Sequence, residues 1–251
     1  MKSIRVIIPF LLLVAVAVAQ DTIPAGTVIP IMLSSTIDAT RSKPGERIAG
    51  RIMQDVPLPS GSRLPARSWV LGHILEVSKP GGATASVSLK FDRVIVRKKE
   101  IAVVTHLRAI ASMMAVNDAQ VPTSPSPDRG TSVYSWTTMQ VGGDVVYRGG
   151  GPVVGPGSAV VGTPANANGV LAQLGSSTRG NCRGAIEGSG ENQALWVFSS
   201  SACGAYGFDS LAIGHAGRTA PVGEIVLESP RNVHVPAGSG LLLRVTADSQ
   251  R

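Results

Sequence analysis

Ile23-Pro24-Ala25-Gly26-Thr27-Val28-Ile29-Pro30-Ile31-Met32-Leu33 is a proline-containing turn that runs directly into an apolar stretch. Pro24 presets its own φ for the second position of a turn, and Gly26 suits the close of a type I turn. The β-branched residues that follow favour a pleated, half-buried strand. The same order of residue types returns as Val235-Pro236-Ala237-Gly238-Ser239-Gly240-Leu241-Leu242-Leu243-Arg244-Val245. A shorter version, Leu58-Pro59-Ser60-Gly61-Ser62, stands between them. The chain thus opens and closes on one turn-and-strand device, and its two ends are expected to share a β core.

Between these ends the first half reads as further strands. Arg41-Ser42-Lys43-Pro44-Gly45 makes a polar turn, Arg47 to Met53 alternates charged and apolar residues, and Trp69 to Val77 is apolar-rich. Ala85 to Val96 alternates most clearly, with Val87, Leu89 and Phe91 set against Ser86, Ser88, Lys90 and Asp92. Arg97-Lys98-Lys99-Glu100 is a hairpin tip before Ile101 to Thr105, and His106 to Val116 fits either a short helix or a continuation of the strand. Short strands at such intervals point to a mainly β fold, a small β-barrel or sandwich, with few short helices.

The organisation expected is a signal peptide (1–19), a barrel or sandwich domain (20–116), a Pro/Ser-rich linker (117–130) and a Gly-rich β region (131–251). Lys2 and Arg5 precede an apolar run from Val6 to Val18, and Ala17-Val18-Ala19 has the small-x-small cleavage pattern, leaving Gln20 first in the mature chain. The run is short for a membrane span. Export to the periplasm or beyond the cell is the expected localisation, with no transmembrane span in the mature chain. In the Gly-rich region, strands are expected at Thr131 to Met139, Asp144 to Tyr147, Ala194 to Ser199, Leu211 to His215 and Gly223 to Leu227. One or two helical turns are expected at Asn168 to Leu174. Aromatics are only 4% of the 251 residues, so the cores must be mostly aliphatic.

In residues 22–105, Pro24-Ala25-Gly26-Thr27 with its apolar run, Pro44-Gly45, Asp55-Val56, Leu64 to Gly72 and Phe91-Asp92-Arg93-Val94-Ile95-Val96 occur in order. This series resembles the C-terminal β domain of TrbI-like pore proteins of conjugative type IV secretion systems. Against that family, the chain is expected to lack the cytoplasmic tail, inner-membrane helix and helical antenna. The resemblance therefore implies a related envelope β module, or an accessory component of a secretion assembly, rather than a working channel. Residues 131–251 carry no comparable family resemblance.

Chemistry is sparse. Cys182 and Cys203, the two cysteines, are expected to form a disulfide in an oxidising compartment. A loop of that length contributes about 3 kcal/mol on the chain-entropy model. The competing reading is an envelope hydrolase with Cys203 as nucleophile and His215 as base, Asp209 lying between them, although no sequence typical of a catalytic cysteine surrounds it. There is no Gly-x-Ser-x-Gly, and the serines of Gly155-Pro156-Gly157-Ser158 and Gly188-Ser189-Gly190 sit in plain turns. The run Gly149-Gly150-Gly151 lacks a phosphate-loop lysine. His73, His106, His215 and His234 show no metal-ligand spacing, and the Met113-Met114 pair reads as packing. No catalytic residue, metal or cofactor is expected.

The net charge of +7 falls to +5 once Lys2 and Arg5 are removed. Arg97, Lys98 and Lys99 form the one tight basic cluster, a possible contact for an acidic cell-surface polymer. Without a basic face or interleaved aromatics, nucleic acid is excluded as a partner. The function these features favour is non-enzymatic binding or scaffolding in the envelope, with the oligomeric state left open.

Overall fold

The computed structural model describes residues 22–81, 84–120, 136–142, 145–148, 153–154, 160–162, 170–171, 195–198, 202–214 and 223–247. The strands in chain order begin with β1 (Val28–Leu33), β2 (Ile37–Asp38), β3 (Arg47–Ile52), β4 (Val56–Pro57), β5 (Arg63–Leu64), β6 (Trp69–Ser78), β7 (Ala85–Val96), β8 (Lys99–Ala102) and β9 (Val104–Ala111). After the helix α1 (Met113–Asp118) come β10 (Trp136–Met139), β11 (Val145–Arg148), β12 (Val153–Val154), β13 (Val160–Gly162) and β14 (Val170–Leu171). The last are β15 (Gly204–Tyr206), β16 (Ala212–Gly214), β17 (Ile225–Ser229), β18 (His234–Val235) and β19 (Gly240–Ala247). The protein is mainly β, and α1 is the one helix among the described residues.

The two copies of the turn-and-strand device are antiparallel neighbours. β1 pairs with β19 in a register that sets Val28 against Arg244 and Pro30 against Leu242. Pro30 and Leu242 hold equivalent places in the two copies, so the pair is arranged about a local two-fold axis between them. Each turn closes the far end of the other copy's strand. The Gly26 N–H donates to the Val245 carbonyl (2.8 Å), and the Gly238 N–H donates to the Leu33 carbonyl (2.8 Å). Both glycines have left-handed backbones, φ +86° and +91°. The first turn lies one residue later than the type I turn expected. The Thr27 N–H closes on the Pro24 carbonyl (3.2 Å), putting Gly26 at the position where a type II turn requires positive φ. That conformation turns its N–H toward β19.

Around this pair the sheet curls into a barrel. Its neighbours run β9-β19-β1-β3-β6-β7, and β8 returns along β7. β8 and β9 are separated by Val103 alone, whose N–H donates to the Asp92 carbonyl of β7 (2.9 Å). The Thr105 hydroxyl adds a bond to the Phe91 carbonyl (2.8 Å). The ring therefore closes between β7 and the β8–β9 strand, which leaves no open edge there. Toward the other end of this seam, β17 pairs with the first half of β7, β16 with β17, and β15 runs parallel to the end of β9. Segments from both halves of the chain thus build one sheet.

Alternation along the strands fills the barrel with aliphatic side chains, among them Ile29, Ile31, Ile52, Val70, Ile74, Val87, Leu89, Leu241 and Leu243, around Phe91. Each fully buried side chain of this kind contributes about 1.5–3 kcal/mol relative to exposure. A second apolar cluster lies outside the barrel. Val28, Ala109, Ala111 and Leu242 on the outer face are covered by Val116 of α1, by its C-cap Ala119 and by Leu195, Val197 and Phe198. Trp196 meets Phe198 edge to face, with ring centroids 6.5 Å apart. Gly240 makes room for them: a Cβ there would come within 3.2 Å of both rings.

Three local expectations are corrected. Ala194 to Ser199 is not a strand in its described part: the Phe198 N–H closes a turn on the Leu195 carbonyl (3.0 Å), with Trp196 left-handed. A strand would send alternate side chains to opposite faces, whereas this turn delivers successive apolar side chains into one cluster. Val170 and Leu171, expected to be helical, pair in β14 with Tyr147 and Val146. The linker expected from residue 117 begins inside α1, whose first turn is capped by the Ser112 hydroxyl accepting from the Ala115 N–H (3.2 Å). The segment 106–116 resolves into strand and then helix. The signal peptide, the rest of the linker and the Gly149-Gly150-Gly151 run lie outside the described residues.

Candidate functional site

Among the described residues, three groups of polar side chains stand out. At the first, β2 pairs with β18 so that Asp38 stands opposite His234. The buried Asp38 Oδ1 accepts from the Thr40 N–H (2.8 Å), the Thr40 hydroxyl (2.6 Å) and Asn232 Nδ2 (3.3 Å), while Oδ2 lies 3.0 Å from His234 Nδ1. Burial pushes this carboxyl up, but the hydrogen bonds from Thr40, Asn232 and His234 outweigh it and hold the acid well below the usual carboxylate range. Asp38-Ala39-Thr40 is an Asx turn, a signal present in the sequence but passed over. The carboxylate anchors a turn and ties together segments from the two ends of the chain.

The second place is the outer face of β9 and β19, where His106 and Arg244 are in register. Arg108 sits at the bulge between the Leu242 and Leu243 pairings and donates from Nε to the Ala202 carbonyl (2.9 Å). Burial, then Arg244 and Arg108, lower the His106 pKa below 6.5 and favour the neutral ring. Burial and Arg244 also lower the Arg108 pKa, with Tyr206 opposing. Beside them, the Tyr206 hydroxyl accepts from the Cys203 N–H and donates to the Cys203 carbonyl, both at 2.9 Å. Cys203 is buried, and no free cysteine occurs among the described residues.

The third is the barrel end at which β3 finishes and β6 starts, next to the β7–β8 hairpin. The outward row Arg51, Trp69, Ile95, Glu100 crosses four adjacent strands. The Arg51 guanidinium lies 3.7 Å above the Trp69 ring centroid, and its Nη1 donates to the Arg67 carbonyl (3.3 Å). Arg97 and Lys98 form the two-residue hairpin tip, both left-handed (φ 48° and 70°), the signature of a type I′ turn built without glycine or asparagine. Asp92 accepts from Arg93 (3.2 Å) and lies near Lys90 (3.3 Å) and His73 (3.5 Å), and Glu100 pairs with Arg93 (3.2 Å). Glu100 first, then Asp92, raise the Arg93 pKa.

Of the residues singled out from sequence, Arg97, Lys98 and Lys99 are exposed together at this tip. Asp209 is described and exposed, whereas Cys182 and His215 lie outside the described residues, so neither the disulfide nor the Cys203–His215 pair is tested. Among the described residues, no three His, Cys, Asp or Glu side chains gather to hold a metal, and no helix is long and apolar enough to cross a membrane. The Arg51–Trp69 stack and the buried Arg108 were missed. The first depends on the register of β3 with β6, and the second on a bulge in β9 and a partner carbonyl 94 residues away.

No family model matches the chain, and no curated protein matches it. Among solved structures, ComB10 of the Com type IV secretion system of Helicobacter pylori aligns over 90% of this chain and 88% of that one. The identity is 15% and the TM-score 0.31, a level of likeness that carries no argument about function.

Proposed function

We propose that this chain is an exported, non-enzymatic β module that binds or scaffolds in the cell envelope, with Cys182 and Cys203 joined as a structural disulfide. The observation that supports it is how the polar groups are engaged. Asp38, Asp92, Arg108 and Tyr206 fix turns, bulges and strand neighbours. The charged side chains at the β7–β8 tip point away from the core. Fractionation of the host with crosslinking tests the reading: recovery crosslinked to envelope material supports it, and recovery as a free monomer in the medium and the cytosol counts against it.

Two other readings have their own outcomes. The resemblance of residues 22–105 to TrbI-like β domains raises an accessory role in a secretion assembly, and co-purification with such an assembly would favour it. A hydrolase using Cys203 and His215 requires a thiol. Two cysteines that react only after reduction favour the disulfide, and one fast-reacting thiol favours the enzyme.

A further inference from the structure

The geometry points to a binding site for a linear acidic polysaccharide at the barrel end formed by Arg51, Trp69, Arg67 and the Arg97-Lys98 tip. It rests on the binding reading above and names the ligand class for it. Trp69 and Ile95 are in register on β6 and β7. Beyond that pair, Arg67 lies just before β6 and Arg97 just after β7, both exposed at the same end of the barrel. Both carry left-handed backbones (φ 68° and 48°). Like charges gathered at one end of the barrel repel one another, and left-handed non-glycine residues add strain. The nearby acids do not offset this. Asp55 is paired with Arg63 at 3.0 Å, and Glu100 with Arg93 at 3.2 Å. Among the described residues, Arg67, Arg97 and Lys98 make no ion pair with an acid. Two costs of folding thus coincide at one surface, and an anionic ligand relieves the electrostatic one.

The ligand class follows from shape and chemistry. Arg51 is held flat on Trp69 with Nη1 tied to the Arg67 carbonyl, which presents a planar fork of donors suited to a carboxylate. The stack lies on the sheet face and continues to the tip, so a chain with repeated carboxylates can lie across it. A membrane surface fits less well. The described tips at this end expose Pro57, Pro59, serines and basic side chains, but no large apolar side chain for insertion.

Calorimetric titration of the purified protein with polygalacturonate tests the site. Neutral dextran, duplex DNA and vesicles containing phosphatidylglycerol serve as parallel probes. Polygalacturonate is expected to bind, and to weaken roughly twentyfold for a fourfold rise in salt if about three charges are matched. The double variant R67Q/R97Q is expected to lose about tenfold in affinity while its Tm stays level or rises, because repulsion among the basic side chains at this end is reduced. R231Q, a lone exposed arginine elsewhere, is expected to bind as the parent does. The proposal is overturned if R67Q/R97Q binds normally, if R231Q loses as much, or if dextran, DNA or vesicles bind as tightly as polygalacturonate. Envelope crosslinking that persists when polygalacturonate fails to bind would retain the binding module and remove this site alone.

Discussion

The two outer faces of the barrel are built on one ladder and meet opposite fates. Along β9, β19 and β1 the outward side chains include Ala109, Ala111, Leu242 and Val28, and a second apolar layer covers them. Along β3, β6 and β7 they include Arg51, Trp69, Leu71 and Arg93, and these stay half-exposed. Small aliphatic side chains allow α1 and the Leu195–Phe198 turn to approach closely and exclude water. A guanidinium under such a layer needs a built partner, as the buried Arg108 has in the Ala202 carbonyl, and Arg51 and Arg93 on the other face stay half-exposed. Side-chain choice on the outer positions, rather than the sheet, decides which face is covered.

The comparison can be broken most severely on the half-exposed side, through the backbone. A Cβ at Gly72 would lie 1.9 Å from the Lys90 carbonyl oxygen and 2.9 Å from the Phe91 Cα. G72A is expected to cost more than about 4 kcal/mol, because β6 and β7 must separate, and urea unfolding would read it. On the covered side, F198A should cost about 3 kcal/mol by opening a cavity over Gly240. It should also quench or shift the emission of Trp196, so a variant with parental stability and spectrum would show that the outer layer is dispensable.

Acidification separates the faces further. His106, on the β9–β19 face, has a folded pKa lowered below 6.5, so the unfolded chain takes up the proton first. Its contribution is whole above pH 6.5 and is lost as pH falls through the folded value. H106Q should flatten the fall in Tm that begins below that pH. Asp38 behaves in the same sense at lower pH. Its carboxyl is held below the ordinary 3.8, so its stabilisation persists to about that pH and fades as acid is added beyond it. D38N should be less stable than the parent near neutrality and draw level in strong acid. The smallest effect is expected for R51A, about 0.5–1 kcal/mol from the exposed stack on Trp69. A larger loss would mean that the half-exposed face is more tightly organised than its accessibility implies.

Much of the architecture was legible in residue order. Ala85 to Val96 alternates visibly because one side of β7 faces an aliphatic core, and the repeated Pro-Ala-Gly turns marked the first and last strands as partners. The turn at Leu195–Phe198 was not legible, since a run of apolar residues reads the same whether its side chains alternate or converge. Nor was the basic end. Arg97, Lys98 and Lys99 are adjacent in sequence, but Arg51 and Arg67 join them only through pairing.

The sequence by itself determined that this is a β protein with an aliphatic interior, because period-two alternation and β-branched runs are local properties of the chain. The tertiary structure alone decided that the barrel closes at Val103, that Arg51 lies on Trp69, and that Asp38 meets His234. Those depend on register, and register is set by hydrogen bonding and packing among strands as far apart in sequence as β1 and β19.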